Sequence, residues 1–439
     1  MTPTDADPAL KALDEALALV SRPPAGEGPG AGGAPGGHRA AAWPRAREAA
    51  ARAGSGIRPR THCVPLADAL GEVLEQPLEA LTDLPSFDTS AMDGWAVAGP
   101  GPWSVRPGGG VLAGSDRPEP LRDGEAVRIA TGARIPADTT AVLRSEHSRE
   151  AGTQLYADRP VQTGQDIRPR GQECRSGDLL LPAGSLVTPA VLGLAAAAGY
   201  DELATRPRPR VEVLVLGDEL LTEGRPREGL IRDALSPMLG PWLDRLGAEV
   251  TGTRRIGDDP AGAAALLEAV TGSDADVVIT TGGTASGPVD HVHPVLAEAG
   301  AELLVDGVAV RPGHPMLLAR LGTRTDGRHL VGLPGNPLAA VSGLLTLAEP
   351  LLRALAGRRQ RPRYAVPVQG DVPGHPHDTR LVPVLLTDEH AVPLRYHGPA
   401  MLRGVAAADA LAVVPPGGAR SGQDLEVLDL PWVSGGCFT

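Results

Sequence analysis

Residues 276–290 read DVVITTGGTASGPVD, and the reading of this stretch decides the fold. Val277, Val278 and Ile279 run without polar alternation, the pattern of a strand buried on both faces of a parallel sheet. Thr281, Gly282, Gly283 and Thr284 follow, and Asp290 stands at the head of a helical pattern. Ligands of open α/β sheets sit at the carboxyl ends of strands. Two residues without side chains let backbone amides form a concave anion site there. The same letters also make an ordinary tight turn. Alone, the stretch points to phosphate held by main chain, with an acid nearby.

Working outward, the neighbours repeat the alternation of strand and helix. Val211–Leu216 reads as a buried strand, Pro237–Gly247 as a helix and Glu249–Ile256 as extended chain. Asp258-Asp259-Pro260 starts a helix to Gly272, with proline in the first turn. A helix is expected from Asp290 to Gly300. Met316–Leu321 and His329–Leu333 make two more strands, the second running into Pro334-Gly335-Asn336-Pro337 and a long helix through Ala356. Asn336 is placed to cap that helix, whose first amides would attract an anion. This order predicts a doubly wound α/β sheet.

Before Arg206-Pro207-Arg208-Pro209-Arg210, a stiff charged linker, the texture differs. Residues 23–37 are too poor in side chains to offset the cost of ordering them. Lys11–Val20 reads as a short amphipathic helix, and a better one begins near Trp43. The run CVPLADALGEVLEQPLEAL (63–81) predicts a short helix between extended pieces, and Pro189–Gly199 another helix. From Thr82, short apolar runs broken by Gly, Pro and Asp predict a β-rich unit. Two loop-rich clusters stand out there, 84–97 and 124–146, where turn and cap roles compete with functional ones for Asp88, Asp93, Thr131 and Asp138. After Arg361, short alternating runs predict a small β-barrel or sandwich.

Composition narrows the function. The chain has 439 residues, room for two to four domains. Asp and Glu total 53 against 41 Lys and Arg, a net charge of −12, which argues against nucleic acid or an anionic membrane as partner. Lys11 is the one lysine. Cys63, Cys174 and Cys437 have no metal-ligand spacing and fit a reducing compartment. No basic region followed by an apolar core opens the chain, and the longest weakly polar stretch noted, Leu186–Tyr200, is short of a membrane span. A cytoplasmic location is expected. His375-Pro376-His377-Asp378 reads as a surface loop rather than a metal cluster, and His291 and His293 do not share a helix face.

Taken together, FDTSAMDGWAV (87–97), VRIATGARIPADTTAVLRSE (127–146), IRPRGQE (167–173), LVLGDELL (214–221), DVVITTGGTASGPVD (276–290), RPGHP (311–315) and LPGNP (333–337) resemble the molybdopterin molybdenumtransferase family, which includes the molybdenum-insertion part of gephyrin. The motifs occur in the family's order from about Trp43 onward. The resemblance implies a multidomain α/β and β fold. Its parts are an N-terminal extension (1–38) expected to be disordered, an elongated connecting domain (39–80 and 167–208), an inserted β-rich domain (81–166), a doubly wound α/β molybdopterin-binding domain (209–360) and a C-terminal β-barrel (361–439). It implies a homodimer, with sites between the α/β domain of one subunit and the inserted domain of its partner.

It also implies the reaction: adenylylated molybdopterin and molybdate bind, the phosphoanhydride is cleaved with Mg²⁺, AMP leaves, and molybdenum reaches the dithiolene sulfurs. Mapped onto this chain, the catalytic candidates are Asp93, Thr131, Glu219, Asp259, Asp290 and Arg311. Ser90, Gly282, Gly283, Thr284, Gly313, His314, Pro334, Gly335, Asn336 and Pro337 are the substrate-binding candidates. Glu219, Asp259 and Asp290 are the candidate Mg²⁺ ligands, since Mg²⁺ takes oxygen donors and keeps several waters. The chain departs from the family pattern at His314, usually Lys, at Ala339, often Ser, at Leu235 where Asn is usual, at Glu173 for Asp, and at Thr284-Ala285-Ser286-Gly287. Two alternatives follow: a molybdopterin-binding scaffold without the insertion step, and an α/β domain that cleaves another phosphoanhydride.

Overall fold

The computed structural model describes residues 40–114, 117–284, 291–325 and 327–432. The expected helix Lys11–Val20, the extension 1–38, Asp290 and Cys437 lie outside these residues. The chain divides into two compact units, Thr61–Thr205 and the remainder.

The larger unit is built on a six-stranded sheet in the order Glu249–Ile256, Arg210–Leu216, Val277–Thr281, Arg328–Leu333, Leu317–Leu321, Glu302–Asp306. The first four strands are parallel, and Leu317–Leu321 runs antiparallel to both of its neighbours. Alternate residues feed two cores: Val211, Val213 and Val215 pack toward Leu239, Leu243 and Leu345, while Leu214 and Leu216 pack toward Leu266, Val295 and Leu296. Helices therefore cover both faces, which is why Val277–Ile279 carries no polar residue. Val215 pairs with Thr281, and Thr281 with Leu333. This register brings the three strand ends level.

The helix Trp43–Ser55, which the sequence reading placed with the connecting domain, packs within this unit. Trp43, Ala46, Ala50 and Gly54 form its buried stripe. Trp43 Nε1 donates to Thr346 Oγ1 at 3.0 Å, and a methyl on Gly54 would fall 2.6 Å from the Leu351 carbonyl oxygen. Small residues let the two helices touch, and a short sequence window cannot show that partner. The partner helix, Pro337–Leu355, is long and apolar enough to cross a membrane, but 83% of that stretch is buried inside the protein. The sequence reading expected this helix but took Leu186–Tyr200 as the longest weakly polar stretch.

The C-terminal strands, expected as a small barrel or sandwich, pair in a seven-stranded sheet among the described residues. The path runs Ala41–Ala42, Val308–Arg311, Thr379–Leu386, Ala410–Val414, Asp424–Asp429, Ala365–Pro367, with Ala391–Pro393 beside Thr379–Leu386. Two of its strands come from outside the C-terminal segment.

In the smaller unit, six strands between Gly94 and Ala157 make one sheet around Trp95, Trp103 and Leu143. A second cluster, with Leu74, Val187, Ala195 and Leu203, lies under the helix Pro189–Ala197. The short helix expected within 63–81 is a series of turns, broken where Gly71 takes φ +83°.

Candidate functional site

The level strand ends bring the two glycine turns together. A methyl on Gly335 would lie 3.6 Å from the Cα of Gly282. Gly282 (φ +86°) and Gly283 (φ +63°) both take the left-handed conformation that glycine adopts without steric cost. Not every amide in these turns is open. Gly282 N donates to Leu333 O, and Leu338 N and Ala339 N donate to Pro399 O. Asn336 stands at the helix N-cap, but its side chain makes no capping bond, a correction to the expected cap. The cradle is thus narrower than the sequence implied: Gly283, Thr284, Gly335 and Asn336 supply the amides that have no backbone acceptor among the described residues. Pro334 and Pro337 frame the second turn. Thr284 is buried, with its methyl against Gly332.

The acids follow neighbouring strands. After Arg210–Leu216 comes Asp218, and after Glu249–Ile256 comes Asp258. Each carboxylate accepts from the other's backbone N–H at 3.1 Å. This reciprocal clasp, missed by the sequence reading, ties the two loops and so places the exposed Glu219 and Asp259 beside it. Asp259 Oδ1 caps the following helix through Gly262 N at 2.7 Å, leaving its second oxygen for other work. His291 Nε2 lies 2.8 Å from Asp258 O. Among the described residues no three His, Cys, Asp or Glu converge as a metal cluster. The donors present are nonetheless hard carboxylate oxygens, which fit Mg²⁺ held by one or two carboxylates plus waters and substrate phosphate.

The RPGHP turn splits in role. Arg311 Nε donates to Asp378 Oδ2 at 2.8 Å, and the Asp378 side chain is nearly buried. The two residues are 67 apart in sequence, and the signal for Asp378 was hidden in a segment read as a surface loop. His314 is turned back on its own turn: its Nδ1 donates to Val308 O at 2.8 Å. Gly313 is enclosed by Met316, Ser342 and Ala339, with no room for a side chain.

In the smaller unit, Ser90, Asp93 and Thr131 do come together. Thr131 N donates to Asp93 Oδ1 at 2.7 Å, and Ser90 Oγ donates to Met92 O at 2.6 Å. Gly132 N donates to Ser90 O. Nearby, Asp88 Oδ1 accepts from Arg170 N at 2.7 Å. The Ser176 amide, then Arg170, hold Asp83 below the usual carboxylate range.

Comparison with known proteins covers these same segments. Residues 42–199 match the MoeA N-terminal region (domain I and II), 212–354 a probable molybdopterin binding domain, and 365–430 the MoeA C-terminal region (domain IV). Molybdopterin molybdenumtransferase 2 of Mycobacterium tuberculosis is 34% identical over 390 residues, 84% of this chain and 94% of its own length. The molybdopterin molybdenumtransferase of Staphylococcus aureus is 32% identical over 304 residues, 67% and 71% of the two chains. A molybdopterin biosynthesis MoeA protein from Pyrococcus horikosii superposes with a TM-score of 0.69 at 25% identity, over 89% of this chain and 99% of that one. With its motifs in family order, its glycine turns side by side and relatives matched along most of its length, the chain belongs to the molybdopterin molybdenumtransferase family.

Proposed function

We infer that this chain inserts molybdenum into molybdopterin, taking adenylylated molybdopterin and molybdate as substrates and releasing AMP. The observation that carries the reading is the meeting of the Gly282–Gly283 and Gly335–Asn336 turns on the strand edge that also bears Glu219 and Asp259. Main-chain N–H groups at Gly283, Thr284, Gly335 and Asn336 hold phosphate oxygens without adding bulk or charge. Mg²⁺, when bound, supplies positive charge beside the phosphates; Glu219 and Asp259 would hold it, with Asp290 outside the described residues. Arg311, fixed by Asp378, places a permanent cation against the anionic substrate. Water adds across the phosphoanhydride, so that AMP leaves with one phosphate and molybdopterin keeps the other, and molybdate exchanges oxygen for the two dithiolene sulfurs, the displaced oxygen leaving as water with the thiol protons. The working form in this reading is a cytoplasmic homodimer, and Asp93, Ser90 and Thr131 serve the same reaction. The scaffold alternative is not favoured, because the relatives are named as transferases.

The test is AMP release from authentic adenylylated molybdopterin, with and without molybdate and Mg²⁺. Release that requires both is expected. A folded protein that binds the substrate and releases no AMP overturns the reading, and cleavage of an ordinary nucleotide pyrophosphate without molybdate replaces it with the generic one.

A further inference from the structure

A cavity of about 520 Å³ opens at the opposite edge of the same sheet. Its walls include Pro209, Asp276 and Arg328, which stand at the amino ends of the three strands whose carboxyl ends bear the candidate site. Strands of five to seven residues separate the two edges by roughly 20 Å at about 3.3 Å per residue. None of the residues assigned to the insertion reaction lines this cavity.

Its charge is lopsided. Arg58, Arg60, Arg206, Arg328 and Arg358 line it, against the single carboxylate of Asp276. A structural role accounts for part of this. The helices Trp43–Ser55 and Glu349–Leu355 end at the cavity, and Arg328 donates to the carbonyls of Thr271 and Ser273 at the end of a third. Arginines near helix C-termini offset the dipole. Five guanidiniums thus line the cavity beside one carboxylate and the helix ends. Arg358 Nη1 lies 3.4 Å from Leu246 O, and burial first, then Arg353 and Arg208, push its pKa down to about 10. Arg60 already grips a carboxylate, Asp276 Oδ2, at 2.5 Å.

We propose that this cavity binds a small phosphate-bearing anion of nucleotide size, held by Arg58, Arg60, Arg206 and Arg358. The planar guanidinium fork matches phosphate oxygens in pairs, and Ile57, Leu355, Pro207 and Pro209 give an apolar surface for the rest of the molecule. The volume lies within the range of small-molecule sites. The site is separate from the phosphate cradle at Gly283 and Gly335 and does not depend on the reaction assigned to it.

Hydrogen exchange on the full chain separates the two places. Pyrophosphate and AMP, each against chloride at matched ionic strength, are expected to protect peptides within 54–60 and 354–360. Arg58→Glu, and separately Arg206→Gln, should weaken that protection at least tenfold in ligand concentration, while any protection at 282–284 and 335–337 stays unchanged. Arg58 is exposed, so its variant tests the site without disturbing the core. Absence of protection at 10 mM pyrophosphate and AMP, or protection that survives both substitutions, overturns the proposal. Equal protection by citrate overturns its assignment to phosphate.

Discussion

Gly335 sits against Gly282, with only 3.6 Å between the Gly282 Cα and the position a Gly335 methyl would take. The two turns are 53 residues apart in the chain and form one cradle. Gly335 has ordinary backbone angles and Gly282 a φ of +86°, so the two glycines should respond differently to alanine. Gly335→Ala is expected to unfold within about 0.5 kcal/mol of the parent while placing a methyl between the turns and weakening molybdopterin binding. Gly282→Ala should cost about 1–2 kcal/mol in backbone strain. Urea unfolding and pterin titration on both variants check the split.

Glu219 and Asp259 should part company in the same way. Asp259 caps a helix through Gly262 N, whereas Glu219 is exposed. Glu219→Gln is expected to cut molybdate-dependent AMP release more than about tenfold with melting unchanged, if a fixed carboxylate charge is needed beside the phosphates. Asp259→Ala should lose activity and about 1 kcal/mol of stability, and Asp259→Asn should restore the cap but not the activity.

Asp378 holds Arg311 through Nε. Removing it with Asp378→Ala frees the guanidinium, and loss of a charged hydrogen bond worth about 1.5–3 kcal/mol predicts at least about a tenfold fall in kcat/KM. Arg311→Lys should not behave as a conservative change, because an ammonium lacks the fork that can meet Asp378 and substrate together. Steady-state kinetics on both variants, with melting as the control for folding, decide this.

His329 is fully buried at the start of a central strand, and neither ring nitrogen has a hydrogen-bond partner among the described residues. Burial, aided by Arg320, pushes its pKa down to about 4, below the value of about 6.5 in an unfolded chain. Between these values the unfolded state binds the extra proton, so stability falls as pH drops from about 6.5 toward 4, by up to about 3 kcal/mol. His329→Leu should flatten that slope relative to the parent, measured by urea unfolding at pH 7, 5.5 and 4.5. A parallel slope in the two proteins sinks the assignment.

Much of the α/β unit was legible because its signals are local. Glu249–Ile256 and the helix to Gly272 fall where pattern and proline put them, and uninterrupted apolar runs mark strands covered on both faces. Placement of Trp43–Ser55 was not legible, since its stripe of small residues states that something packs there and not what. Strand pairing at the C-terminus was not legible for a related reason. Alternation identifies strands, but pairing is settled by long-range hydrogen bonds, and here Ala41–Ala42 and Val308–Arg311 join the sheet from elsewhere.

By itself the sequence determined which residue types meet phosphate and metal chemistry: glycines at strand ends, acids after neighbouring strands, and arginine in place of lysine. Tertiary structure alone decided which of those groups remain available. Leu333 O takes the Gly282 amide, Pro399 O takes those of Leu338 and Ala339, and Val308 O takes His314. Each competing acceptor lies outside the motif it occupies, because a buried N–H takes whatever carbonyl the fold brings within reach. Motif letters name the donors of a site, and the packed chain sets how many are left for a ligand.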